Sequence, residues 1–214
     1  MIDQFYFRRP LMDFIIKTIC KKDFNRARHF AVSGMHLNWY TSGKLQLYLY
    51  SHYFWNLELL KATRAIGAYA GGKLVGVLLV DMCGQPKLFR SLLRRMYVKA
   101  FEWFVHKLFS ETSGCYDQVN NMMLKKLKEN RHPAGEVNFF AVAPETKGQG
   151  VGTLLLNELE RLEKGKLVYL FTDSGSSFQF YQKRGFEEAE RNDIQLKTGK
   201  KELRLTCFLF YKIL

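Results

Sequence analysis

The residues whose types and spacing could do chemistry are Lys147-Gly-Gln-Gly-Val-Gly152. They stand between a strand-like run, Glu136–Val142, and an amphipathic helical run, Val151–Lys164, whose Val151, Leu155, Leu159 and Leu162 share one stripe. At a strand-to-helix junction the free backbone N–H groups and the helix dipole can hold a phosphate, and glycine lets the chain approach the anion closely. The same residues also suit a tight turn that binds nothing. Two phosphate-binding designs are excluded by spacing. A Walker A loop needs Lys-Ser/Thr after its last glycine, and a dinucleotide fingerprint reads GxGxxG.

Other chemistry is thin. The four cysteines (Cys20, Cys83, Cys115, Cys207) are scattered without a CxxC pair, and the five histidines are isolated, so neither a metal centre nor a disulfide framework is indicated. Free thiols fit a reducing, cytoplasmic setting. A formal net charge of +13 suits an anionic partner without naming it: nucleic acid, an anionic membrane and a polyphosphate cofactor all satisfy it. No helix-turn-helix or aromatic RNA-binding signature accompanies the charge, so specific nucleic-acid binding is not expected. Apolar runs such as Leu74–Val80 are too short to cross a bilayer, and the first residues lack a signal-peptide pattern.

The elements that must position the loop can be read along the chain. With 214 residues, 47% of them hydrophobic, a packed single domain over residues 1–214 is expected, with 1–12 as a leader. Asp13–Cys20 reads as a first strand. Asp23 is placed to N-cap a helix through Phe24, Ala27, Phe30 and Ala31, which breaks near Thr41, and a second, aromatic-rich helix spans Leu45–Thr63. Ala65–Ala70 and Leu74–Met82 around Gly71-Gly72 give a hairpin. From Leu88 to Phe109 apolar residues recur at helical spacing between basic ones, predicting a basic amphipathic helix that packs its apolar stripe on the core. A polar helix, Asp117–Glu129, follows. Lys166–Thr172 is a buried strand, Ser176–Arg184 a short helix closed by Gly185, and Phe186 to the end gives two strands about Lys197–Lys201.

Two segments together resemble one family. Val142-Ala-Pro144-Glu-Thr-Lys147-Gly-Gln-Gly150-Val-Gly152 resembles the pyrophosphate loop of the GNAT (Gcn5-related N-acetyltransferase) superfamily, [QR]xxGx[GA] after a Val-x-Pro. Phe180-Tyr181-Gln-Lys-Arg-Gly185-Phe186 resembles its FYxxxGF block at the expected distance after an apolar strand. The resemblance is specific over Glu136–Phe186 and absent between Met82 and Glu136. It implies an α/β fold: a GNAT-type mixed central sheet flanked by helices, with a helical insertion over residues 84–135 between strands 3 and 4. One departure is that Lys147 stands where the family usually has Gln or Arg, which keeps a cationic donor but changes its geometry.

The resemblance also implies roles. Acetyl-CoA would run its pantetheine along the main chain of Ala141, Val142 and Ala143, with the Val142 amide polarising the thioester carbonyl. Lys147, Gly148 and the amides of Gln149, Gly150, Val151, Gly152 and Thr153 would face the pyrophosphate, and Ser174 stands where many members place an Asn. Tyr181 would protonate the departing thiolate. Glu136, eleven residues before Lys147, stands at the offset of the general-base Glu in the histone-acetyltransferase branch. A strand-initial Glu can equally be only solvated.

The activity so implied is N-acetyl transfer from acetyl-CoA to a primary amine, on a small molecule or a peptide, through a ternary complex. A non-catalytic CoA-binding sensor or interaction module is the alternative. The acceptor side is expected among Trp39, Tyr40, Tyr48, His52 and the insertion. For the basic helix, a solvated face, a lid, a homodimer contact and a surface for an acidic substrate or membrane are all open.

Overall fold

The computed structural model describes residues 13–35, 37, 43–109, 113–198 and 201–214. The expected leader, together with His36, Trp39, Tyr40 and the helix break at Thr41, lies outside the described residues. The elements are β1 (Phe14–Thr18), α1 (Phe24–Gly34), α2 (Lys44–Lys61), β2 (Arg64–Ala70), β3 (Lys73–Met82), α3 (Leu92–Phe109), α4 (Ser113–Asn130), β4 (Gly135–Val142), α5 (Val151–Leu162), β5 (Leu167–Asp173), α6 (Gln179–Gln182), β6 (Glu187–Thr198) and β7 (Lys201–Ile213). The strands form one seven-stranded mixed sheet in the order β1-β2-β3-β4-β5-β7-β6. Among the described residues only β4 and β5 pair in parallel. A parallel pair cannot be joined by a tight turn, so the chain crosses over through α5.

Neighbouring residues of β4 show which helices lie on which face. Gly34 of α1 packs on Ala141, whereas Val151 and Leu155 of α5 fill the space over Gly76, beside Val142. Successive strand residues point to opposite faces, so α1 and α2 cover one side and α5 the other. The amphipathic stripe of α5 supplies its core contact, with Val151, Leu155, Leu156 and Leu159 buried. On the opposite side Trp55 of α2 meets Phe24 and Phe139 edge-on, at ring separations of 5.7 and 5.2 Å. A second cluster joins Met123 and Leu127 of α4 to Leu205, Leu209 and Tyr211 of β7. Thus α3 and α4 enter between β3 and β4, and α4 covers the far half of the sheet.

At the far end of α5, Glu163 is 1% exposed. It accepts hydrogen bonds from Arg64 of β2 (2.6 Å), Lys166 (2.6 Å) and Gln85. Burial would raise its pKa, but these donors together hold it below the ordinary carboxylate value. This ion cluster ties the helix to the sheet.

Three sequence expectations change. Asp23 does not cap α1: it ends a 3-10 turn (Lys21–Asp23) and has a helical backbone (φ −93, ψ −3), where a capping residue must be extended. Its carboxylate instead accepts the Tyr69 hydroxyl at 2.8 Å. The basic helix starts at Leu92 rather than Leu88, because the Ser91 hydroxyl accepts the Arg94 amide at 3.2 Å and so caps it. Its apolar residues do not all reach the core: Leu92, Leu93 and Met96 are 72%, 80% and 60% exposed.

Candidate active site

The site begins with a defect in β4. The β3–β4 register runs Leu79↔Phe139 and then Val80↔Val137, so Asn138 is an extra residue. Such a bulge bends the strand. It also turns the Asn138 amide toward α2, where it donates to the buried Glu58 carboxylate at 2.5 Å. Pairing of β4 with β5 is confined to Gly135↔Val168 and Glu136↔Tyr169. Beyond those two pairs the strands part.

Hydrogen-bond parity shows which groups the gap receives. The Ala143 amide donates to Val75 O at 2.8 Å, so Ala143 and every second residue before it exchange bonds with β3. Ala141 and Ala143 are therefore occupied, while the N–H and C=O of Phe140 and Val142 point into the gap. From the other side, the Ser174 amide donates to Thr206 O at 2.9 Å, which by the same alternation turns the main chain of Phe171 and Asp173 toward β4. An internal strand pair with open main-chain groups is a place where a ligand can complete the ladder.

The glycine loop lies at the open end of this gap. Gly148 and Gly150 have φ of 81° and 83°, in the left-handed region that favours glycine. The first helical bond of α5 runs from Leu154 N to Gly150 O, so the amides of Val151, Gly152 and Thr153 belong to the unsatisfied first turn. Gln149 differs from its neighbours: its amide donates to Thr146 O (3.2 Å) and its side chain to Glu145 O (3.1 Å), which closes the loop on itself. Lys147 is exposed beside it. At Gly152 an added Cβ would meet the Phe180 ring at 3.0 Å, so this glycine brings α5 and α6 together.

Through that contact α6 delivers Tyr181. Its ring packs against Phe140, Phe186 and Phe210 at 6.0, 5.7 and 6.3 Å. No described residue hydrogen-bonds its hydroxyl, and burial among these rings pushes the phenol pKa upward. Tyr181 is therefore a neutral O–H at physiological pH, at the edge of the gap.

Glu136 sits at the closed end, on the α2 side, and accepts the Tyr169 hydroxyl at 3.1 Å. Burial is the largest influence on its carboxyl and pushes the pKa above the ordinary carboxylate range; Lys61 pulls it down and Glu58 adds to the rise. Ser174 is directed elsewhere. Its hydroxyl accepts the Thr206 amide at 3.0 Å and so belongs to the β5–β7 edge. Tyr48 and His52, expected on the acceptor side, meet edge-on at 4.5 Å in a groove between α2 and α3.

The comparisons with known proteins bear on the fold that holds these residues. Residues 115–188 match the family described as Acetyltransferase (GNAT) domain. The matched stretch holds β4, the glycine loop, β5 and α6. Among solved structures, the fold is similar to that of "histone acetyltransferase HPA2 and related acetyltransferase" from Corynebacterium glutamicum: TM-score 0.54, 16% identity, 92% of this chain and 96% of that one covered. A ribosomal-protein-alanine N-acetyltransferase from Brucella melitensis gives 0.52 at 17% identity, covering 94% and 99%. NAA60 of Arabidopsis thaliana, solved with a bisubstrate analogue, gives 0.53 at 11% identity, covering 94% and 97%. No curated protein matches the sequence.

Two features of the gap escape sequence reading. Phe140 presents its amide to the gap and its ring to Tyr181, but only strand parity makes it differ from Ala141. Asn138 is a bulge residue, and nothing in its neighbours' types marks it as one. The α2–α4 side gains polar groups by the same route: the Tyr116 hydroxyl of α4 donates to Asp173 at 3.3 Å, and burial raises the Tyr50 phenol to about 12.

Proposed function

We propose that this chain transfers an acetyl group from acetyl-CoA to a primary amine, within a ternary complex, at the β4–β5 gap. The observation that carries the reading is the convergence on one gap of three things: the open main chain of Phe140 and Val142, the unsatisfied first turn of α5, and the neutral Tyr181 hydroxyl. Acetyl-CoA supplies the acetyl group as a thioester. In this reading the amides of Gly150, Val151, Gly152 and Thr153, with Gly148 and Lys147, take the pyrophosphate. The Gln149 amide serves to close the loop.

The Val142 main chain takes the amide-bearing arm that leads inward. The Phe140 amide lies deeper, against Tyr181, and is the better placed of the two to polarise a thioester carbonyl. Tyr181 holds its proton at the phenol oxygen until the leaving sulfur needs it. A phenol pushed upward by burial keeps that proton across the physiological range. The amine arrives as an ammonium from the α2–α4 side and must lose a proton before attack. Glu136 is assigned that role. Four strand residues span about 13 Å, so Glu136 would act on an amine near Phe140 through intervening water rather than directly.

The test is release of CoA thiol on mixing the protein with acetyl-CoA and a panel of amines that includes polyamines, amino acids and peptides. Thiol release that depends on one amine class supports the reading and identifies the acceptor. Tight acetyl-CoA binding by calorimetry with no thiol release from any amine would reassign the chain as a CoA-binding module.

A further inference from the structure

Helix α3 has two apolar faces, and the core uses one. At about 100° per residue, Arg94, Val98, Phe101 and Glu102 share an arc. This arc packs on α2: Val98 is 4% exposed, Phe101 stacks on Tyr53 at 4.9 Å, and Arg94 donates to Asn56 at 2.8 Å. The opposite arc carries Leu92, Leu93, Met96 and Tyr97, which are 72%, 80%, 60% and 38% exposed. Across a groove of about 530 Å³, Tyr48 and Leu49 of α2 continue the apolar surface, and Leu45, one turn earlier, is 71% exposed. Scattered exposed leucines are ordinary; a contiguous apolar patch across two helices marks a contact surface.

The margin of the patch is cationic. Arg95 and Lys99 fall beside Leu92 on the helical wheel, and Arg90 precedes the helix; all three are exposed. No described carboxylate pairs with any of them. The chain as a whole carries +13. Among the described residues no helix is long and apolar enough to cross a membrane. An apolar stripe bordered by unpaired cations, on a helix that cannot span, is the pattern of a helix lying in the plane of an anionic bilayer surface.

We propose that the outer face of α3 docks this protein on an anionic membrane, with Leu92, Leu93 and Met96 entering the acyl boundary and Arg90, Arg95 and Lys99 meeting lipid phosphates. A second copy of the chain fits the patch less well. A two-fold contact through this face would bring two sets of the same cations together. The proposal does not depend on the acetyl-transfer reading.

The experiment is co-sedimentation of the full chain with vesicles of phosphatidylcholine alone and of phosphatidylcholine mixed with phosphatidylglycerol. Binding should rise with the phosphatidylglycerol fraction and fall as salt screens the cations, over a Debye length of about 10 Å at 0.1 M. Leu93→Glu with Met96→Glu should weaken partitioning at least about tenfold, since both side chains leave the acyl boundary. Arg90→Gln, Arg95→Gln and Lys99→Gln together should remove the dependence on phosphatidylglycerol. Both variants alter exposed positions, and unchanged circular dichroism and melting would show that they fold. The proposal fails if no vesicle composition sediments the protein, or if Leu93→Glu with Met96→Glu binds like the parent. It also fails if sedimentation velocity without lipid shows a dimer that this variant dissolves while vesicle binding is absent; the occupant would then be a second copy.

Discussion

The β4–β5 gap and the outer face of α3 are incomplete in opposite ways. In the gap the side chains are largely packed: Phe139 and Ala141 are buried and the Tyr181 ring is enclosed by Phe140, Phe186 and Phe210, while the main chain of Phe140 and Val142 is left open. On α3 the main chain is satisfied within the helix and it is the side chains of Leu92, Leu93 and Met96 that face outward. Open backbone groups call for a ligand that can hydrogen-bond in line with a strand. Open apolar side chains call for a surface that accepts hydrocarbon. One molecule therefore carries two unfinished surfaces of different chemistry, and mutations should separate them.

The largest expected effect is at Tyr181. Tyr181→Phe removes only the hydroxyl, keeps the ring against Phe140, and should lower kcat by about 10²–10⁴-fold. The Kd for acetyl-CoA should stay as it was by calorimetry; a Kd that worsens in step with kcat would make the residue a wall rather than an acid. Its raised pKa gives a sign: the protonated acid persists up to the shifted value, so kcat should show no tyrosine limb near the ordinary phenol pKa of about 10.

Next comes the scaffold that aims the gap. Glu163→Ala removes a buried acceptor from the partly exposed Arg64 and Lys166 and should cost about 1–3 kcal/mol in denaturant unfolding. Because its folded pKa is depressed, the stability from ionised Glu163 is full above the unfolded carboxylate pKa and is lost as pH falls through the folded value. A parent protein whose stability is flat across the acid range would contradict this.

Glu136→Gln should slow turnover about tenfold at neutral pH, the lower end for a base working through water. In the parent, kcat should fall as pH drops through the raised Glu136 pKa, and that acid limb should be missing from the variant. Stability should move the other way. A raised folded pKa means that the protonated form is the favoured one, a contribution present below the unfolded pKa and lost as pH rises through the folded value. The amide, neutral at all pH, should therefore melt slightly higher at neutral pH than the parent.

Of similar size is Gly150→Val. A β-branched side chain at φ 83° strains the loop by about 1–2 kcal/mol, so acetyl-CoA should bind about tenfold more weakly, with vesicle binding unchanged. Least of all, Leu93→Glu should leave the acetyl-CoA Kd where it was. If it does not, the two surfaces are coupled and the contrast between them breaks down.

How much could be read in advance differs between the two surfaces. Gly148, Gly150 and Gly152 announced the loop because alternating glycines between a strand and a helix are costly unless backbone must turn or approach something. The FYxxxGF segment fixed the partner helix at the right distance. On α3 the apolar residues occupy most of the helical wheel, so periodicity predicted a helix without deciding which face meets the core. Ser91, which starts that helix, is a common N-cap type that only the observed Arg94 bond singles out.

By itself, then, the amino-acid sequence determined the order of strands and helices, the phosphate-type loop at Lys147–Gly152 and the candidacy of Tyr181 and Glu136, because propensity, periodicity and glycine placement are local properties. Tertiary structure alone decided the rest. The bulge at Asn138 exists only against the register of β3, and the opening of β4 from β5 follows from that bend. Which amides face the gap depends on pairing parity, and which apolar face of α3 stays outside depends on what α2 already fills. Each is a relation between residues distant in the chain, and no local pattern encodes it.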